Sequence, residues 1–325
     1  MRVVGIVRLF LSALLIAVAC GFQVTLGPKA RPLVSSASPK KGKPLGMSPF
    51  PVRAIPRGGG IIAMGTAALR SGPFGVVSLW AIASAVVIPM TMYRQGYSFS
   101  VGYGFAVMAM GLALLQVFQP TAPLPSTMLV SIIFYGFRLG AYLMLRDATV
   151  PSKAEQIKAF DKSPRLQRIP MALSVALFYA FITTPALYAC RAAETIPSIV
   201  STIGAGMAAL GAALEAIADT HKYIVKRSNE QLFVGPTGGV YRISRHPNYL
   251  GELLFWTGVF VAGAPTFGKS IVAWVASLLG IYGIFGIMTN ATNRLDKTQA
   301  AKYKGQAKYE AYKLAVKAPL FPFID

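Results

Sequence analysis

The most reactive stretch of this chain is Gly238-Gly239-Val240-Tyr241-Arg242-Ile243-Ser244-Arg245-His246-Pro247-Asn248-Tyr249-Leu250-Gly251-Glu252. Pro247 suits the first position of a helix, so the spacing predicts a helix from there to about residue 262. Asn248 and Glu252 then stand four residues apart on one polar face. Arg245 and His246 fall at the N-terminal end, where free N–H groups and the helix dipole favour anions. Cations at a helix start make a phosphate site. An ordinary basic loop beside a membrane accounts for Arg242 and Arg245, but not for a histidine, an asparagine, a tyrosine and a glutamate among them.

Two other sets share a helical face. Glu215, Asp219 and Lys222 come near the end of an otherwise Ala-, Gly-, Ile- and Leu-rich stretch, residues 196–224. The bland account is a helix end entering water with an Asp219–Lys222 ion pair. Arg138, Tyr142 and Arg146 are likewise spaced by four. Arg146 can reach the interface along its own stem. Arg138 lies two turns deeper and calls for an ion partner. The two cysteines, Cys20 and Cys190, do not make a disulfide framework or a cysteine metal site, and no metal is expected.

The elements that carry these residues follow from composition. Of 325 residues 54% are hydrophobic and 13% charged, against about 25% charged in soluble domains. That excludes a soluble globular enzyme and a disordered chain, and predicts an all-α, polytopic transmembrane bundle. Apolar runs fall at about 74–93, 97–118, 125–146, 170–190, 196–218, 249–265 and 270–290, each near the roughly 20 residues that cross a bilayer. The run at 249–265 is short, so six or seven spans are expected. The net charge of +21 lies in the N-terminal leader and in loops 147–169 and 222–248 and the tail 291–325. Only Arg191 and Lys269 interrupt the intervening connections. With two spans between successive basic segments, all three fall on one side, as the positive-inside rule requires. The charge reads as topology and targeting, not as nucleic-acid binding.

Residues 1–21 have the pattern of a secretory signal, with Arg2 and Arg8 before a short apolar stretch and Ala19 and Gly21 before a cut at Phe22. Residues 22–60 are basic, contain Ser and Pro, and hold no acid; the first acid in the chain is Asp147. This is transit-peptide composition. A signal, then Phe, then such a segment resembles the bipartite plastid leader of algae with secondary plastids, which implies a plastid membrane. An endoplasmic-reticulum signal anchor is the alternative. The remaining chain divides into N-terminal transmembrane helices, 61–124, and a membrane domain, 125–325.

Arg245-His246-Pro247-Asn248-Tyr249-Leu250-Gly251-Glu252 resembles the RHPNYxGE signature of the steroid 5-alpha-reductase-like superfamily of integral membrane proteins, in its DUF1295-type branch. Glu215-Ala-Ile-Ala-Asp219-Thr-His-Lys222 resembles that branch's ExxADxxK helix. Arg138-Leu-Gly-Ala-Tyr-Leu-Met-Leu-Arg146 resembles its RLGxYLxxR helix, and the tail through Tyr303, Tyr309, Tyr312 and Leu320 resembles its closing segment. The resemblance covers about residues 130–325; the spans at 74–118 carry no usable motif.

The resemblance implies NADPH-dependent reduction of a carbon–carbon double bond in a lipid drawn from the bilayer. It implies that Arg138, Glu215, Asp219, Asn248 and Glu252 line the cofactor pocket. Lys222, Arg242, Arg245 and His246 would meet phosphates or the nicotinamide end, with Lys226 and Arg227 near cofactor-binding cations. Arg294 and Asp296 would meet the adenosine end, although Asn293-Arg294-Leu295-Asp296 departs from the family's adjacent Arg-Asp pair. Tyr249 and His246 are the catalytic candidates, with Tyr142 and Tyr135 as further proton donors. No acid precedes Asp147, so the N-terminal acid of the steroid enzymes is missing and steroid substrates are not supported. Isoprenylcysteine and phospholipid methyltransferases share an RHPxYxG segment, which makes an S-adenosylmethionine-dependent membrane methyltransferase the alternative. Five cations around the motif (Lys222, Lys226, Arg227, Arg242 and Arg245) favour the polyanionic cofactor. A non-enzymatic, lipid-binding scaffold is the third reading.

Overall fold

A computed structural model describes residues 74–192, 198–226, 232–233 and 235–322. The signal and transit-like segments, 1–21 and 22–60, lie outside the described residues. Among the described residues there are nine α-helices and no strand: α1 (Val76–Tyr93), α2 (Val101–Phe118), α3 (Pro123–Thr149), α4 (Pro151–Ala159), α5 (Ile169–Arg191), α6 (Ile199–Lys226), α7 (Pro247–Gly263), α8 (Ile271–Lys302) and α9 (Ala307–Ala315). Six helices are long and apolar enough to span a membrane: α1, α2, α3, α5 with its preceding turn, α6 and α8. The protein is an all-α, multi-pass membrane protein.

Helix α7 begins at Pro247 and has 17 residues, about 26 Å at 1.5 Å per residue. It packs against α5, α6 and α8. Two boundaries differ from expectation. Residues Gln95–Phe99 form a 3₁₀ turn before α2, so the second span starts at Val101. Helix α8 runs to Lys302, past the end of the apolar run near residue 290. No Gly or Pro interrupts 287–302, and Ala, Gln and Lys there keep helical propensity after hydrophobicity ends. Arg294 and Asp296 therefore sit on a helix rather than in a loose tail.

Contacts between the connections put the basic segments together. Arg94 pairs with Asp161 at 2.8 Å, Thr149 meets Tyr223 at 3.0 Å, and Arg245 pairs with Asp296 at 2.9 Å. At the other end Arg191 reaches the Phe74 carbonyl and Tyr188 meets Ser270. This two-ended arrangement agrees with the charge asymmetry of the sequence. Asp161 also accepts from the Gln95 N–H and from Arg168. Burial opposes its charge, but the Arg94 and Gln95 hydrogen bonds outweigh that and hold the carboxyl below its ordinary range.

Without a hydrophobic drive between helices in lipid, close association needs small residues that let backbones touch. Antiparallel α6 and α7 meet in this way. A Cβ on Gly251 would stand 2.6 Å from the Glu215 amide nitrogen, and Gly204, Gly211 and Gly258 face the opposite backbone equally closely. Gly104 and Gly136 do the same between α2 and α3. Gly206, also on α6, has nothing within 4 Å of its Cβ position and is exposed. Gly211→Leu is therefore expected to destabilise the fold by about 1–3 kcal/mol through overpacking, whereas Gly206→Leu leaves the melting temperature unchanged or raises it. Thermal unfolding of the two variants in the same detergent checks this.

Candidate functional site

The deepest cation among those singled out is Arg138 of α3. Its Nη2 lies 2.9 Å from Glu215 Oε1 and its Nη1 lies 2.8 Å from Asp219 Oδ2, both on α6. The two carboxylates are buried. Spacing by four residues puts them on one face of α6, and one planar guanidinium spans that distance because its donors form a fork. Arg138 thus has the ion partner its depth called for. Asp219 takes Arg138 and not Lys222, so the local Asp219–Lys222 pair is corrected. A partner from another helix excludes water more completely than one at the same helix end. Arg138 also lies over the Tyr135 ring at 5.7 Å.

Further into the bundle, Glu252 of α7 accepts a hydrogen bond from Tyr103 of α2 at 2.9 Å. The Tyr103 oxygen in turn accepts from the Trp256 indole N–H at 2.6 Å and lies 3.3 Å from the Tyr135 hydroxyl. Tyr135 stacks on Phe255 with centroids 4.0 Å apart. Tyr103 and Trp256 were not among the residues singled out from sequence. Tyr103 lies in the apolar, glycine-flanked Val101-Gly-Tyr-Gly-Phe. Its one cue is that a tyrosine buried in a membrane helix needs a hydrogen-bond partner.

At the motif end, His246 is buried, with neither ring nitrogen hydrogen-bonded. Its ring stacks on Tyr249, 5.8 Å between centroids. Asn248 Oδ1 and Glu215 Oε2 are also buried without partners. Lys222 lies within electrostatic range of Asp219, Lys153, Arg146 and His246, and Lys226 within range of Lys222, Lys302 and Lys153. Lys226 also lies over the Tyr303 ring, on the residue that follows α8. Tyr241 donates to the Ala218 carbonyl, which ties the loop before α7 to the end of α6. Tyr142 packs edge-on against Tyr223, 6.3 Å between centroids.

The remaining candidates are placed apart from this set. Arg242 and Arg294 are exposed. Arg245 is joined to Asp296 through Nε at 3.0 Å and Nη2 at 2.9 Å, and its Nη1 donates to the carbonyls of Val316 and Lys317. The geometry therefore brings together Arg138, Glu215, Asp219, Lys222, His246, Tyr249 and Glu252, and engages Arg245 and Asp296 with each other. Arg227 lies outside the described residues. Among the described residues no group of His, Cys, Asp or Glu has the arrangement of a metal site.

The arrangement as a whole sets two buried acids around one arginine among the helices of a membrane protein, with lysines of the last turns of α6 beyond them. Residues 86–316 match the model of the family described as protein of unknown function DUF1295. The chain belongs to that family, the steroid 5-alpha-reductase-like branch of membrane proteins. No curated protein and no solved structure matches the chain. The family match begins within α1 and includes α2, so the helix that supplies Tyr103 is part of the family's domain.

Removing Arg138 leaves two buried carboxylates without their cation, which costs about 3–5 kcal/mol. Arg138→Ala is expected to lower the melting temperature far more than Asp219→Asn, a comparison read by thermal unfolding. His246 lies outside the spanning segments. Burial holds its imidazole below the ordinary range, against the opposing pull of Asp296. A histidine with a depressed folded value binds fewer protons than the unfolded chain. Its contribution to stability is therefore complete above about pH 6.5 and is lost as pH falls below that value. The wild-type melting temperature is expected to drop between pH 7.5 and 5.5 by more than that of His246→Gln.

Proposed function

We propose that this protein is an NADPH-dependent reductase of a carbon–carbon double bond in a lipid. The observation that carries the reading is a set of buried, unpartnered polar atoms on neighbouring motif residues, His246 Nδ1 and Nε2 and Asn248 Oδ1, with Lys222 within electrostatic range of His246 and the cations Arg146, Lys153, Lys226 and Lys302 within range of Lys222 or Lys226. Orphaned buried polar groups in a folded protein call for a partner, and a polar ligand supplies one. Clustered cations favour a polyanion such as a dinucleotide phosphate. The residues present fit that cofactor: Asn248 and His246 would bind and orient its polar ring, and Lys222 and Lys226 its phosphates.

When bound, the dihydronicotinamide supplies a hydride to one carbon of an activated double bond. The chain must deliver a proton to the other carbon. Tyrosine hydroxyls suit that task in a water-poor interior, because a neutral donor costs less to bury than a charge. Tyr103 Oη holds a proton between Glu252 and Trp256, and Tyr135 Oη lies within reach of it. Glu252, once it has itself taken a proton from solvent, can pass it to Tyr103 and so replace the one consumed in each turnover. Tyr249, stacked on His246 nearer the mouth, is the alternative donor. Trp256, Phe255 and Tyr135 pack on one another and make the surroundings of the Tyr103 and Tyr135 hydroxyls apolar, as a lipid chain requires.

The charge balance disfavours S-adenosylmethionine. Three acids could hold a sulfonium, but Arg138 already pairs with two of them, Glu215 and Asp219. In purified protein, saturating NADPH is expected to raise the melting temperature, because a ligand that binds only the folded state stabilises it. Lys222→Ala and Asn248→Ala should abolish that rise, and S-adenosylmethionine should produce none. Stabilisation by S-adenosylmethionine alone would overturn the reductase reading.

A further inference from the structure

We propose that Arg245 and Asp296 are positioning residues: they fasten the C-terminal segment Val316–Pro319 across the turn Ser244–His246, and the fastened segment sets the orientation of the His246 side chain. The importance of His246 rests on the reading above, but the argument and its test use no ligand.

The guanidinium of Arg245 is engaged on every nitrogen. Nε and Nη2 grip the two oxygens of Asp296, and Nη1 donates to the carbonyls of Val316 and Lys317. The backbones continue the same zipper. The Arg245 N–H donates to the Ala318 carbonyl and the His246 N–H to the Pro319 carbonyl, each at 3.1 Å. The Ser244 hydroxyl donates to the Pro319 carbonyl at 3.0 Å and accepts from the His246 N–H at 3.1 Å. Three consecutive motif residues are thereby registered against four consecutive residues some 70 positions later in the chain.

The imidazole itself has no such anchor. Neither ring nitrogen is hydrogen-bonded, and Asp296 Oδ1 stands 3.7 Å from Nε2, too far for a hydrogen bond. His246 precedes α7 as its N-cap, with φ −128° and ψ 59°, outside the helical repeat that would otherwise fix its direction. What remains to aim the ring is the backbone turn, held by the C-terminal segment, the stack on Tyr249 and the carboxylate of Asp296 beside Nε2. Arg245 acts through that turn. A role as a free phosphate ligand would require it to give up Asp296 or the carbonyls.

The chain has two histidines, His221 and His246, so histidine labelled with ¹³C and ¹⁵N gives two imidazole signals in the full-length protein. In Asp296→Asn and Arg245→Lys the His246 signal is expected to move and broaden while the His221 signal stays in place. Amide hydrogen exchange at residues 245–246 is expected to quicken about tenfold or more, with the peptides of α1 to α3 unchanged. A chain ending at Ala315 should show the larger version of both effects; if it does not fold, the two point variants decide. An unmoved His246 signal with unchanged protection at 245–246 in both point variants would overturn the proposal. Absence of an NADPH effect on melting would overturn the reductase reading and leave these measurements standing.

Discussion

The arrangement depends on one arginine. Arg138 is held among apolar helices where an unpaired charge is costly, and its two carboxylate partners stand on a single face of α6. That requirement fixes α3 against α6. The glycine contact fixes α6 against α7, α7 carries Glu252 to Tyr103 on α2, and a second glycine contact returns α2 to α3. The four helices close a circuit in which each link is either a charge that must be satisfied or a backbone approach that only glycine allows. Helix α5 fills the remaining side, packed against α1, α2, α7 and α8.

The circuit grades the site by polarity. Its deep end is phenolic and indolic, with one carboxylate held by a tyrosine. Its middle is the arginine with two acids, and its mouth is cationic. The gradient follows from where the helices end. Lys222 and Lys226 occupy the last turns of α6, where cations also complement the helix dipole.

Much of this was legible in the sequence. Apolar runs and helical spacing located the spans, and placed Glu215 with Asp219, and Asn248 with Glu252, on shared faces, because periodicity is a local property. Pairing across helices is not. Asp219 had a plausible partner three residues away in Lys222, and only the packing of α3 against α6 assigns it to Arg138. Tyr103 was illegible for a related reason. With no charge near it in sequence, it resembles any aromatic residue in an apolar helix until Glu252 arrives from 149 residues away. The extension of α8 was missed because hydropathy stops where lipid stops, while helical propensity continues. Arg245 was legible as a cation at a helix start, but its engagement by the C-terminal segment was not, since backbone carbonyls carry no sequence signature.

The glycine-lined contact between α6 and α7 has a mechanical consequence. Two helices in backbone contact along four glycines have no side-chain layer to slide over or rotate about, so they move as one blade. Separation of the two cannot open a path to Glu252. Any relative motion within the bundle falls instead on seams built from larger, deformable side chains, such as the blade's far edge, where Trp256 and Phe260 meet Ile182, Ser277 and Ile281 from α5 and α8.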